Sequence, residues 1–269
     1  MVYTPDVASS TLQPLLARAQ AALDRGHGTE AVQLLAPALR SAALTREDEL
    51  ALRSLLAEAW LLHDELEQAS LILGRTPDTM RETISAGRVS TLWRLHGRLA
   101  SARGDQSRAI AMHGRALKQA EVSHDTRLIG LAHYELAQCY RQVGDVAIVR
   151  EHITKAASAL NAAGDRRHLA LVHSVSGFSA AQAGRFDEAM NALRHAERLA
   201  ALAGARVLRN IHNIGYGFSL KRGIIAAQLD AFASVDGSEL RQNVGGDGAH
   251  GIHARWLARK YSGIRQRDS

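Results

Sequence analysis

With 269 residues and 46% hydrophobic content, the chain can bury one large core or stack a series of smaller ones. The single Cys139 excludes an intramolecular disulfide framework and suits a reducing compartment, and no window reaches the ~18 uninterrupted apolar residues of a membrane span. The formal charge of +6 is uneven: ten Lys/Arg face five Asp/Glu from Arg206 onward, against 23 and 22 before it.

Four prolines occur, the last at Pro77, in a chain rich in alanine, leucine and arginine, so helix is the expected state throughout. The N-terminal MVYTPDVASSTLQPLL has neither the basic start nor the apolar centre of a signal peptide, and a cytoplasmic location is the expectation. Residues 1–10 read as an extension. From residue 11 to 205 the chain reads as five helix-turn-helix units that keep one frame.

In the first unit Leu15, Ala19, Ala22, Gly26, Ala31 and Ala38 occupy frame positions 4, 8, 11, 15, 20 and 27. Pro37 falls inside its second helix, which it should kink or shorten. The second unit, 38 residues on, carries Arg53, Ala57, Trp60, Asp64, Ala69 and Thr76 at these positions, with Asp64 where the others have a turn glycine. The third supplies Trp93, Gly97, Ala100, Gly104, Ala109 and Ala116, within LWRLHGRLASARGDQSRAIAMHGRAL. Forty residues later come His133, Ala137, Tyr140, Gly144, Val149 and Ala156, and forty beyond those His173, Gly177, Ala180, Gly184, Ala189 and Ala196.

The spacing has a physical sense. Small residues at positions 8 and 20 let two antiparallel helices approach, and larger ones at positions 4, 7, 11 and 24 fill the space between. Gly104, Gly144 and Gly184 stand where a left-handed cap ends the first helix, and Asp105 and Asp145 follow as caps for the second. Beyond Ala205, residues 206–235 read as a degenerate sixth pair that caps the stack, and 236–269 as a glycine-containing basic tail with a short helix around Trp256.

The GxxYxxxG-like pattern followed five residues later by alanine, cleanest in LWRLHGRLASARGDQSRAIAMHGRAL, HYELAQCYRQVGDVAIVREHITKA and HSVSGFSAAQAGRFDEAMNALRHA, resembles the tetratricopeptide repeat family. The forty-residue period is similar to the extended variant of MalT-like bacterial regulators and kinesin light chain-like scaffolds. The resemblance implies an all-α, right-handed α-solenoid of stacked antiparallel helix pairs, with the first helix of each pair lining a concave groove. By that geometry the groove residues are Glu58, Arg94, Arg98, Tyr134, Gln138, Arg141, Ser174, Phe178 and Gln182. Arginine forks suit carboxylates and the aromatic rings suit apolar contacts, so the expected partner is a peptide or protein segment with acidic and apolar side chains. Arg94, Arg98 and Arg141 read equally as solvated groove residues balanced by Glu58 and Glu135. The lysine-asparagine clamp that some family members use for C-terminal carboxylates is missing at positions 5 and 9.

Thirteen histidines raise the question of a metal or a general base. His133 and His173 occupy the packing position of Trp93, no HExxH or CxxC occurs, and His250 and His253 give only two ligands in a glycine-rich segment. No phosphate loop, GxSxG elbow or dinucleotide-binding GxGxxG is present. The expectation is a non-catalytic interaction module without metal or cofactor. The alternative is a ligand- or peptide-sensing domain of a bacterial signalling or transcription regulator. Nucleic acid is a minor reading confined to the basic tail, a membrane partner is not expected, and homodimerisation through the repeat ends stays open.

Overall fold

The structure, a computed structural model, describes residues 7–40, 44–74, 77 and 84–203. The chain divides into compact units of residues 1–220 and 221–269, and everything described lies in the first. The expected sixth pair, the basic tail and the HGIH histidines fall outside the described residues.

Ten helices run in chain order among the described residues. They are α1 (Val7–Asp24), α2 (Gly28–Ala38), α3 (Arg46–Leu62), α4 (Leu66–Leu73), α5 (Ala86–Ala102), α6 (Gln106–Ser123), α7 (Thr126–Val143), α8 (Val146–Ala162), α9 (Arg166–Gln182) and α10 (Phe186–Leu202). Consecutive helices pack as pairs, α1 with α2 through α9 with α10. As the frame requires, each turn inside a pair is closed by the same bond. The amide of position 16 donates to the carbonyl of position 11, His27 to Ala22 (2.9 Å), Glu65 to Trp60 (3.0 Å), Asp105 to Ala100 (2.9 Å), Asp145 to Tyr140 (3.1 Å) and Arg185 to Ala180 (2.9 Å).

That closure needs a left-handed residue at position 15. Glycine supplies it in four units, and in the second Asp64 takes φ 61°, tolerable because a short polar side chain is among the few that visit this region. Asp105 and Asp145 then accept the amides of Arg108 (3.0 Å) and Ile148 (3.1 Å) as N-caps. The same chemistry recurs at turns between pairs, which the frame does not reach: Asp125 and Asp165 cap α7 and α9 by accepting from Leu128 and His168, each at 3.0 Å. Pro37 lies in the last turn of the 11-residue α2, and the 8-residue α4 stops at Gly74, so the first two units have short second helices.

Position 20 is buried in all five units, as Ala31, Ala69, Ala109, Val149 and Ala189. Position 8 faces position 24 in the third and fifth pairs. A Cβ added to Gly97 would come within 2.5 Å of the His113 ring, and one added to Gly177 within 2.8 Å of Leu193. Glycine at these two places therefore sets how near the helices lie.

The helices are not equivalent in their neighbours. The first helices α1, α3, α5, α7 and α9 touch in succession, whereas the second helices make no comparable contacts with one another among the described residues. Closer spacing along one row than the other bends the stack, with the first helices on the inside of the bend. The bend brings the end of α1 back to the start of α9, where the Arg167 guanidinium donates to Asp24 at 2.8 Å across 143 residues of sequence. Among the described residues no helix is long and apolar enough to cross a membrane.

Candidate functional site

The centre of the inner row is ionic. Arg94 and Arg98 stand one turn apart on α5 and so project from the same side of the helix. Glu58 approaches them from α3 and Glu135 from α7. Arg94 lies 3.4 Å from Glu58 and 3.5 Å from Glu135, and Arg98 lies 3.3 Å and 3.8 Å from the same two carboxylates. Two cations and two anions thus tie three consecutive helix pairs together with no net charge.

The Arg94 side chain is 9% exposed and the Arg98 side chain 26%, so Arg98 is the more exposed of the two cations. Burial alone would raise the Glu58 carboxyl above its ordinary value. Arg94 and Arg98, with Arg167 and His168 at longer range, reverse that and hold it at about 2. The distances exceed those of ideal bidentate pairs, and the Arg94 Nε is buried without a hydrogen-bond partner. The cluster positions charge more than it maximises attraction.

His113 of α6 backs this network from position 24, which is Leu35, Leu73, Ile153 and Leu193 in the other units. It is 1% exposed, neither ring nitrogen has a partner, and burial followed by the charges of Arg94 and Arg98 depresses its pKa to about 3. A neutral imidazole fills an aliphatic slot.

At the start of α9, Asp165 accepts from Arg127 Nε at 2.7 Å and from His168 Nδ1 at 2.8 Å. Burial would raise the Asp165 carboxyl, but the His168 hydrogen bond, with Arg127 behind it, carries it well below the carboxylate range. Burial keeps His168 itself neutral against the pull of Asp165, so the imidazole acts as an N–H donor to an ionised carboxylate.

The remaining groove candidates separate by exposure. Tyr134, Ser174 and Phe178 are buried. The Tyr134 hydroxyl accepts from Gln138 Nε2 at 2.8 Å, and the Ser174 hydroxyl donates to the Ala170 carbonyl at 3.0 Å. Gln138 and Arg141 are half-buried and Gln182 is exposed. Glu58, Arg94 and Arg98 come together, while Ser174, Phe178 and Gln182 follow along α9.

In the third, fourth and fifth units position 4 holds ring contacts between the helices of a pair. Arg115 stands 4.7 Å over Trp93, His133 and His152 are hydrogen-bonded through Nδ1 atoms 2.8 Å apart, and His173 meets His195 edge-on at 4.4 Å. Burial first, then His152, lowers the His133 pKa to about 4. Among the described residues no group of three or more His, Cys, Asp or Glu side chains could hold a metal ion. Cys139 is 1% exposed, and burial pushes its thiol up to about 12, which removes it as a nucleophile.

No family model matches the chain, and no curated protein matches it. A crystal structure does: a protein of Podospora anserina provisionally described as a kinesin light chain with nearly identical TPR-like repeats. It is 18% identical, the match covers 75% of this chain and 99% of that one, and the TM-score is 0.50. The fold is TPR-like. At that identity the likeness speaks for the fold alone. The TPR-like frame explains why Arg94 and Arg98 share a face, but it does not supply their partners, because Glu58 and Glu135 belong to neighbouring repeats. Asp24 and Arg167 escaped the sequence altogether, since a pair 143 residues apart leaves no periodic signal.

Proposed function

We propose that the chain is a non-catalytic protein-interaction module that holds a peptide or protein segment along the inner face of its TPR-like solenoid. The observation that carries the proposal is Arg98. Its guanidinium sits at the middle of the inner row, partly exposed, its position fixed by a carboxylate on either side. A carboxylate on the partner would compete with Glu58 and Glu135 for that fork, which favours an acidic side chain flanked by apolar ones over a run of acids. Gln138, Arg141 and Gln182 continue the polar face, while Tyr134 and Phe178, 7% and 9% exposed, offer only the edges of their rings to a partner. A reducing compartment such as the cytoplasm fits the buried thiol of Cys139.

Selection from a displayed library of random peptides tests this. Enriched sequences are expected to combine one or two Asp/Glu with Leu, Ile or Phe. The double variant Glu58→Gln, Arg98→Gln removes one charge of each sign and keeps the cluster neutral, and it is expected to weaken the best peptide by about tenfold, the scale of one lost charge-assisted hydrogen bond. Enrichment of basic peptides, or unchanged affinity in a variant that melts like the parent, would refute the proposal.

A further inference from the structure

Among the described residues a side-chain contact links the two ends of the bend. Arg167 at the start of α9 reaches Asp24 at the end of α1 through a single arm, Nη1 to Oδ1 at 2.8 Å, while its Nε is buried without a partner. Asp24 also accepts from Gln20 Nε2 at 3.0 Å, one turn earlier on the same helix. The two side chains are 43% and 20% exposed, and α1 and α9 have no packed interface comparable to those between neighbouring first helices.

A part-exposed ion pair of this kind contributes ~0–1 kcal/mol and weakens with salt. It can therefore open without unfolding either helix pair. It also lies close to the Glu58, Arg94 and Arg98 cluster, for Arg167 is near enough to act electrostatically on Glu58.

We propose that Asp24 and Arg167 form a clasp that joins the first helix pair to the fifth and restricts entry to the inner face, which a bound segment reaches by opening it. The clasp governs the same face as the proposed peptide site and so rests on that reading for its purpose, but not for its existence.

The test uses the full chain with spin labels on Ala21→Cys and Ala163→Cys, both exposed positions flanking the contact, because the native Cys139 is buried and does not compete for the label. Asp24→Asn and Arg167→Gln are each expected to shift the label-to-label distance distribution to longer values, and the charge swap Asp24→Arg, Arg167→Asp to restore it. Identical distributions in all four proteins would overturn the clasp. So would a swap that fails to restore the parent distance, since the lengthening would then not come from this pair.

The peptide selected above serves as the binding probe. Both opened single variants are expected to bind it about threefold more tightly, the size of one surface ion pair. Unchanged affinity together with lengthened distances would overturn the restriction on entry. No binding of any displayed peptide to any form would instead overturn the peptide site, with the distances still deciding the clasp.

Discussion

Arg94→Met is expected to lower the unfolding free energy by about 3–5 kcal/mol, read as a fall in the urea midpoint at unchanged slope. The loss comes less from the missing attraction than from what is left behind. Glu58 and Glu135 would remain in a half-buried site with only Arg98 to share, and the Glu58 carboxylate, held at about 2, would lose one of the two guanidinium groups beside it. Adding Glu58→Gln is expected to recover part of the loss, since it removes the uncompensated anion. The double variant should fall well short of the sum of the singles. Strictly additive losses would mean that the four groups do not act as one cluster.

His113→Leu is expected to do the opposite, raising the melting temperature at pH 7 and flattening its dependence on pH. The imidazole has a folded-state pKa of about 3 against an ordinary 6.5, so between those values the unfolded chain binds the proton that the folded chain refuses. Stability is therefore full above pH 6.5 and declines as the pH falls toward 3. At pH 5 the deficit from this one group is ~2 kcal/mol. His133, His152, His168 and His173 are also lowered and add to the same slope, so the leucine variant should reduce it without abolishing it. Glu58 acts in a lower window, between its ordinary 4.5 and about 2, and its share should survive in the variant. At neutral pH the gain of about 1–3 kcal/mol reflects two buried nitrogens that no longer need a partner. A variant as acid-labile as the parent, measured by thermal melts from pH 7 to 5, would contradict this assignment.

The sequence carried the fold wherever one constraint recurs in every unit. Alanine or valine at position 20 and a small residue at position 8 answer the same packing requirement five times, and glycine at position 15 answers the turn requirement four times, so a single frame exposes them. Asp64 shows the limit of that logic: it keeps the backbone shape of glycine without being glycine. The turns between pairs lay beyond the frame, which stops at position 27, and His124 at φ 54° carries no compositional warning.

The candidate site was legible only in part, and for a different reason. Arg94 and Arg98 could be placed on one face from their spacing, but whether such a face offers free charge depends on groups in neighbouring repeats. Glu58 and Glu135 supply those groups, so Arg94 is chiefly a structural cation and Arg98 is the more exposed of the two. Tyr134, Ser174 and Phe178 were expected to line the groove, and close contact along the row of first helices buries them. His113 stood at a packing position in the frame, yet nothing in its spacing disclosed that a polar ring sits there without hydrogen bonds.

The most direct test of the account is amide hydrogen exchange on the full chain with and without the best selected peptide. Protection is expected along α3, α5, α7 and α9, strongest in the turns of helix that carry Glu58, Arg98 and Gln138, with α4, α6 and α8 unchanged. Protection concentrated on those second helices instead would place the interaction on the outer row and contradict the inner-face assignment.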